Sequence, residues 1–115
     1  MKKRIFFVLV VASVVTGCRT QPPPIRLNGR TLVVENQTKT EWRNVTVTVN
    51  AYYRGTTTAL APGAELDAGL SNFVTGLGQR FDPSRETVHT VEVRATDAAG
   101  QPVALDWSDR QQQAK

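Results

Sequence analysis

The sequence predicts an all-β chain, a small immunoglobulin-like β-sandwich of about seven short strands. Three observations predict it. From residue 25 onward apolar and polar residues alternate with period two, the spacing of a sheet with one dry and one wet face. Turn pairs such as Asn28-Gly29 and Pro62-Gly63 break the runs at short intervals. No stretch of that region sustains a helical period, and the single cysteine excludes the internal disulfide of immunoglobulin domains.

The elements follow in order. Ile25-Arg26-Leu27 and Thr31-Leu32-Val33-Val34 read as a hairpin closed by Asn28-Gly29 in a type I′ turn. Residues 36–40 are a polar turn. The clearest strand covers 44–53, with Val45, Val47, Val49, Ala51 and Tyr53 inward and Thr46, Thr48, Asn50 and Tyr52 outward. Trp42 closes the end of the core at its entrance. Arg54-Gly55 is expected to turn the chain into 56–60, and Pro62-Gly63 fits the centre of a type II turn. Leu66, Ala68 and Leu70 alternate inward, with Glu65, Asp67 and Gly69 outward. Residues 72–86 form the longest irregular segment, where Phe73 and Phe81 should pack inside. A strand over 87–96 puts Val91, Val93 and Ala95 inward, Asp97-Ala98-Ala99-Gly100 turns it back, and Val103, Leu105 and Trp107 form the last run. The domain thus spans 25–108, with 109–115 a polar tail.

The region before the domain has another character. Residues 1–4 carry Lys2, Lys3 and Arg4, residues 5–15 are apolar, and Val15-Thr16-Gly17-Cys18 follows. Charge, a short apolar run and small residues before a cut read as an export signal, and the run is too short for a stable span. The four residues ending at Cys18 resemble the lipobox of bacterial lipoproteins. That resemblance implies a signal over 1–17, cleavage before Cys18, and a diacylglycerol thioether on its sulfur, which would account for the odd cysteine. Arg19 in place of Asp, by the same resemblance, favours the periplasmic face of the outer membrane, with the inner membrane as the alternative. Residues 18–24 are then lipidated cysteine and tether, and the six residues from Arg19, rich in proline, reach about 20 Å.

Removing 1–17 from the 115 residues leaves 98, enough for one domain, and lowers Lys+Arg from 14 to 11 against 10 acidic residues. A near-neutral chain gives no reason to expect nucleic acid as partner. The run from Thr31 to Trp107 also resembles β-sandwich domains of uncharacterised bacterial envelope proteins. The shared features are Asn36 before Glu41-Trp42-Arg43-Asn44-Val45, Ala61-Pro62-Gly63 before Leu70-Ser71-Asn72-Phe73, and Gly78-Gln79-Arg80-Phe81. These are turn and core residues, and they imply a fold rather than an activity.

No catalytic site or cofactor is expected. His89, the only histidine, should lie partly buried at the sheet rim on the face of Val91 and Val93. No second histidine is there to build a metal site, and Glu86 and Glu92, each three residues away, should face the other side. Ser71, Ser84 and Ser108 lack the elbow motif of a nucleophile. Glu65 and Asp67 share a strand face about 7 Å apart, yet nothing around them would raise a carboxyl pKa. Gly76-Leu77-Gly78 lacks the Lys-Ser/Thr of a phosphate loop. Arg80 is the candidate for an anion or partner contact, and outward Tyr52 for stacking on a partner or sugar. The sequence therefore predicts a non-catalytic, lipid-anchored envelope protein that binds another envelope protein, with 72–86 as its contact surface. A small-ligand or glycan-binding module using Tyr52 and Arg80 is the alternative, ahead of an envelope enzyme.

Overall fold

The computed structural model describes residues 21–110. The expected signal over 1–17, Cys18, the first tether residues and tail positions 111–115 lie outside the described residues. Seven strands form two antiparallel sheets: β1 (Ile25–Asn28), β2 (Thr31–Glu35) and β5 (Glu65–Gly69) in the order β1-β2-β5, and β3 (Trp42–Val49), β4 (Tyr53–Leu60), β6 (Thr90–Asp97) and β7 (Pro102–Ser108) in the order β4-β3-β6-β7. The fold is a small β-sandwich, with the fourth strand beside the third rather than in the sheet of the first, second and fifth as in constant-type immunoglobulin domains.

The inner faces follow the alternation. Ile25, Leu32 and Val34 from one sheet meet Val45, Val47, Val49, Val91 and Val93 from the other, all buried. Leu66, Ala68, Val103, Leu105 and Trp107 pack against this cluster from the flanks. Trp42 joins it through a bulge. Arg43 pairs with Thr96 and Thr46 with Arg94, so Asn44 and Val45 together oppose one residue of β6. Asn44 absorbs the extra residue at φ 53°, which lets Trp42 and Val45, three positions apart, both point inward.

Four turns and boundaries depart from the expected pattern. The first hairpin pairs Asn28 with Thr31, so its central residues are Gly29 and Arg30, with Gly29 at φ 64°. The strand expected over 44–53 ends at Val49: Asn50 (φ 52°) and Ala51 (φ 70°) form the turn, and the Tyr52 N–H reaches the Val49 carbonyl at 3.2 Å. Ala51 is therefore exposed, not inward. Arg54-Gly55 is not a turn but part of β4. Gly55 serves close approach there, since a Cβ at this position would meet Phe73 Cε1 at 2.9 Å. The strand expected over 87–96 begins at Thr90, as β6. The Pro62-Gly63 turn is as expected, with Gly63 at φ 78° and the Ala64 N–H bonded to the Ala61 carbonyl at 3.0 Å.

Residues 70–89 begin with one 3₁₀ turn (Leu70–Asn72) and contain no full strand. They are nevertheless fastened. Phe73, Phe81 and Val88 are buried, Phe81 meets Tyr53 edge to face at 5.1 Å, and Val74 bridges Arg54 on one side and Arg80 on the other. At the opposite end of the sandwich, fully buried Asn36 joins the segments. Its Nδ2 donates to the carbonyls of Thr40 and Leu60, both at 2.9 Å, and its Oδ1 accepts from the Thr38 N–H and hydroxyl.

Candidate functional site

The strand directions give the sandwich two ends. One carries the connections over 36–41, 61–64 and 98–101; the other carries the turns at 29–30, 50–52, 75–79, 82–89 and 109–110. The proline segment is joined to the first end. The Pro22 carbonyl accepts from Gln37 Nε2 at 2.7 Å, the Pro23 carbonyl from Arg26 Nη1 at 2.7 Å, and the Pro24 carbonyl from the Glu35 N–H at 2.8 Å. Arg26 also pairs with Glu35 at 3.1 Å and Glu65 at 2.8 Å. Donation from Gln37 and from Arg26 holds the Glu35 carboxyl below its ordinary pKa, so it stays ionised in this clamp. The stretch expected as free tether over 18–24 is thus docked from Pro22 on.

The far end presents the two large apolar side chains that stand exposed among the described residues, Tyr52 at 73 % and Leu77 at 90 %. Both follow from local backbone. Tyr52 closes the turn at Asn50 and Ala51, which is pinned from below: Asn50 Oδ1 accepts from the His89 and Thr90 N–H groups at 2.7 and 3.1 Å, and Nδ2 donates to the Thr87 carbonyl at 2.9 Å. Leu77 tips a tight hairpin in which the Thr75 N–H bonds the Gln79 carbonyl and the Thr75 hydroxyl accepts from Leu77 and Gln79. The Arg54–Val74 bridge lies two residues from Tyr52 and three from Leu77, so the same short stretch of sheet carries both.

Tyr52 and Arg80 line separate clefts. Tyr52 shares one with Tyr53, Glu86 and His89; Arg80 shares the other with Arg30, Ser71, Phe81 and Asp82, where its Nη1 donates to the Ser71 carbonyl at 3.3 Å. Tyr52 and Arg80 thus stand at the same end of the sandwich without sharing either of these clefts.

His89 departs from expectation. Its side chain is 63 % exposed rather than partly buried, because Val88 takes the inward position and β6 starts only at Thr90, interrupting the alternation. Nδ1 lies 2.9 Å from Asp109 Oδ2, so Asp109 is held against the domain and does not belong to a loose tail. Glu86, expected on the other side, lines the same cleft, since 86–89 is not strand. Its carboxylate accepts from the Tyr53 hydroxyl at 3.0 Å, which raises the phenol's pKa. The cleft's lining contains no serine or cysteine to act with His89, and Ser84 donates to Asp82 at 2.6 Å. Among the described residues no three His, Cys, Asp or Glu side chains group as metal ligands. Glu65 is committed to Arg26, and Asp67 stands beside them on the outer face of the same sheet.

The sequence placed Leu77 only within the surface expected over 72–86, and did not single out Asp109 as the partner of His89 or Arg30 as the neighbour of Arg80. Only Leu77 had a local signal, an apolar residue between two glycines at a turn. No family model matches the chain, and no curated protein or solved structure matches it either.

Proposed function

We propose that this chain is a non-catalytic, lipid-anchored protein of the bacterial cell envelope that works by binding another envelope protein. Cys18 would carry the lipid, on the periplasmic face of the outer membrane. The observation that carries the reading is the opposition of two ends: Pro22, Pro23 and Pro24 are bonded to one, and exposed Tyr52 and Leu77 stand at the other. Two large apolar side chains exposed at one end suit a protein interface better than bulk water. With Pro22 to Pro24 bonded to the opposite end, that tethered end would lie against the membrane and the Tyr52 end would face away.

Site-specific photocrosslinking in cells tests this. With a photoreactive residue at Tyr52 or Leu77 of the full chain, a discrete adduct is expected; at Ala61 or Ala98, at the tethered end, none. Adducts of equal intensity at all four positions, or only at Ala61 and Ala98, would contradict the reading.

A further inference from the structure

Although the mature chain would be nearly neutral, its cations are unevenly paired. Arg26, Arg43 and Arg94 each form an ion pair with a carboxylate. Arg30, Arg54 and Arg85 have no side-chain hydrogen bond or ion pair among the described residues, and Arg80 has only the 3.3 Å bond to the Ser71 carbonyl. These four gather around residues 70–86. Arg30 and Arg80 line one cleft, and Arg80 and Arg54 flank Val74 across consecutive antiparallel bridges. Directly opposed residues in such bridges share a face, so the two guanidinium groups leave the same side from backbone positions about 10 Å apart. Of the carboxylates in the same segment, Glu86 accepts from Tyr53, and Asp82, which lines the cleft with Arg30 and Arg80, accepts from the Ser84 N–H and hydroxyl. Asp82 lies close enough to Arg85 and Arg30 to feel both, without a direct bond to either.

Like charges left side by side cost stability, and arginine is the side chain best shaped to grip carboxylates in pairs. Leu77 and Tyr52 border the group at the same end of the sandwich. Resting on the contact surface proposed above, we infer that Arg54 and Arg80, with Arg30 and Arg85 beside them, bind an acidic segment of the partner protein whose apolar side chains cover Leu77 and Tyr52. The mixed surface favours a peptide over a purely anionic polymer or headgroup, which would leave the two apolar side chains in water.

The test uses the full chain in detergent micelles and a labelled peptide of alternating Glu and Leu, followed by fluorescence anisotropy. Saturable binding is expected, weakened about tenfold or more by the pair Arg54→Glu and Arg80→Glu. The pair Lys39→Glu and Arg43→Glu, which changes net charge equally at the other end, is expected to leave binding within about twofold, in line with screening over a Debye length of about 8 Å. Both variants should keep the parent's thermal unfolding midpoint; if the first pair lowers it, Arg54→Gln with Arg80→Gln replaces it. No binding of the peptide, equal weakening by both pairs, or stronger binding of polyphosphate or phosphatidylglycerol vesicles than of the peptide would overturn the inference. The two readings fail separately: a Leu77 crosslink in cells that survives Arg54→Glu and Arg80→Glu leaves the contact surface standing and removes its acidic partner.

Discussion

Replacing Asn36 with alanine is expected to destabilise the domain by about 2–4 kcal/mol, measured as a shift of the denaturant midpoint at unchanged slope. The side chain is fully buried and uses both ends of its amide. Removing it takes a donor from the Thr40 and Leu60 carbonyls and the acceptor from the Thr38 N–H and hydroxyl, leaving the Thr38 hydroxyl and the Thr40 carbonyl only their mutual 3.1 Å bond on that side. Thr38 would be disturbed in turn, and its hydroxyl accepts from Trp42 Nε1 at 3.2 Å, so the loss would spread to the largest side chain of the core. The backbone of Asn36 meanwhile bonds Ala64 and Gly63, tying the β4–β5 turn to the β2–β3 connection. Asn36→Asp is expected to do no better than alanine. It keeps the acceptor for Thr38 but turns a carboxylate toward two carbonyls in a buried site.

Phe73→Ala is expected to cost about 3–5 kcal/mol in the same measurement. Phe73 holds the only long irregular connection of the described chain in place, with its ring over Gly55 and its carbonyl accepting from the Phe81 N–H at 2.9 Å. The void should release the bridges of Val74 to Arg54 and Arg80, so amide exchange there should quicken more than in β3 or β6. Gly55→Val approaches the same contact from the other side and should cost about 1–3 kcal/mol by overpacking. If Phe73→Ala left stability within 1 kcal/mol, roughly the cost of a partly exposed side chain, the segment would not be anchored as described.

What the sequence made legible was set by local rules. The valines of β3 and β6 could be placed inward because strand alternation needs no partner to be read, and Pro62-Gly63 could be placed in its turn because φ is fixed there by residue type. The breaks in alternation were hidden. A bulge at Asn44 and a turn at Asn50 and Ala51 insert residues that look, in sequence, like one unbroken strand through Tyr53. Gly55 looked like a turn because a glycine required by a neighbouring ring is indistinguishable from one required by φ. The site was less legible still. Tyr52 was assigned outward correctly, but its companion Leu77 and the grouping of Arg30 with Arg80 depend on how residues 70–89 fold back over two sheets. Asn36 read as one more polar turn residue, since nothing local says that its amide is buried and bonded at both ends.

Under the proposed function Cys18 is the anchored end of the chain, and the orientation of the Tyr52 and Leu77 end follows from it. Intact mass measurement on the protein extracted from the cell envelope tests this directly. The predicted product starts at Cys18 and carries a diacylglycerol thioether, with or without an additional acyl group on its amino terminus. A chain that retains residues 1–17, or one that begins at Cys18 with an unmodified thiol, would contradict it.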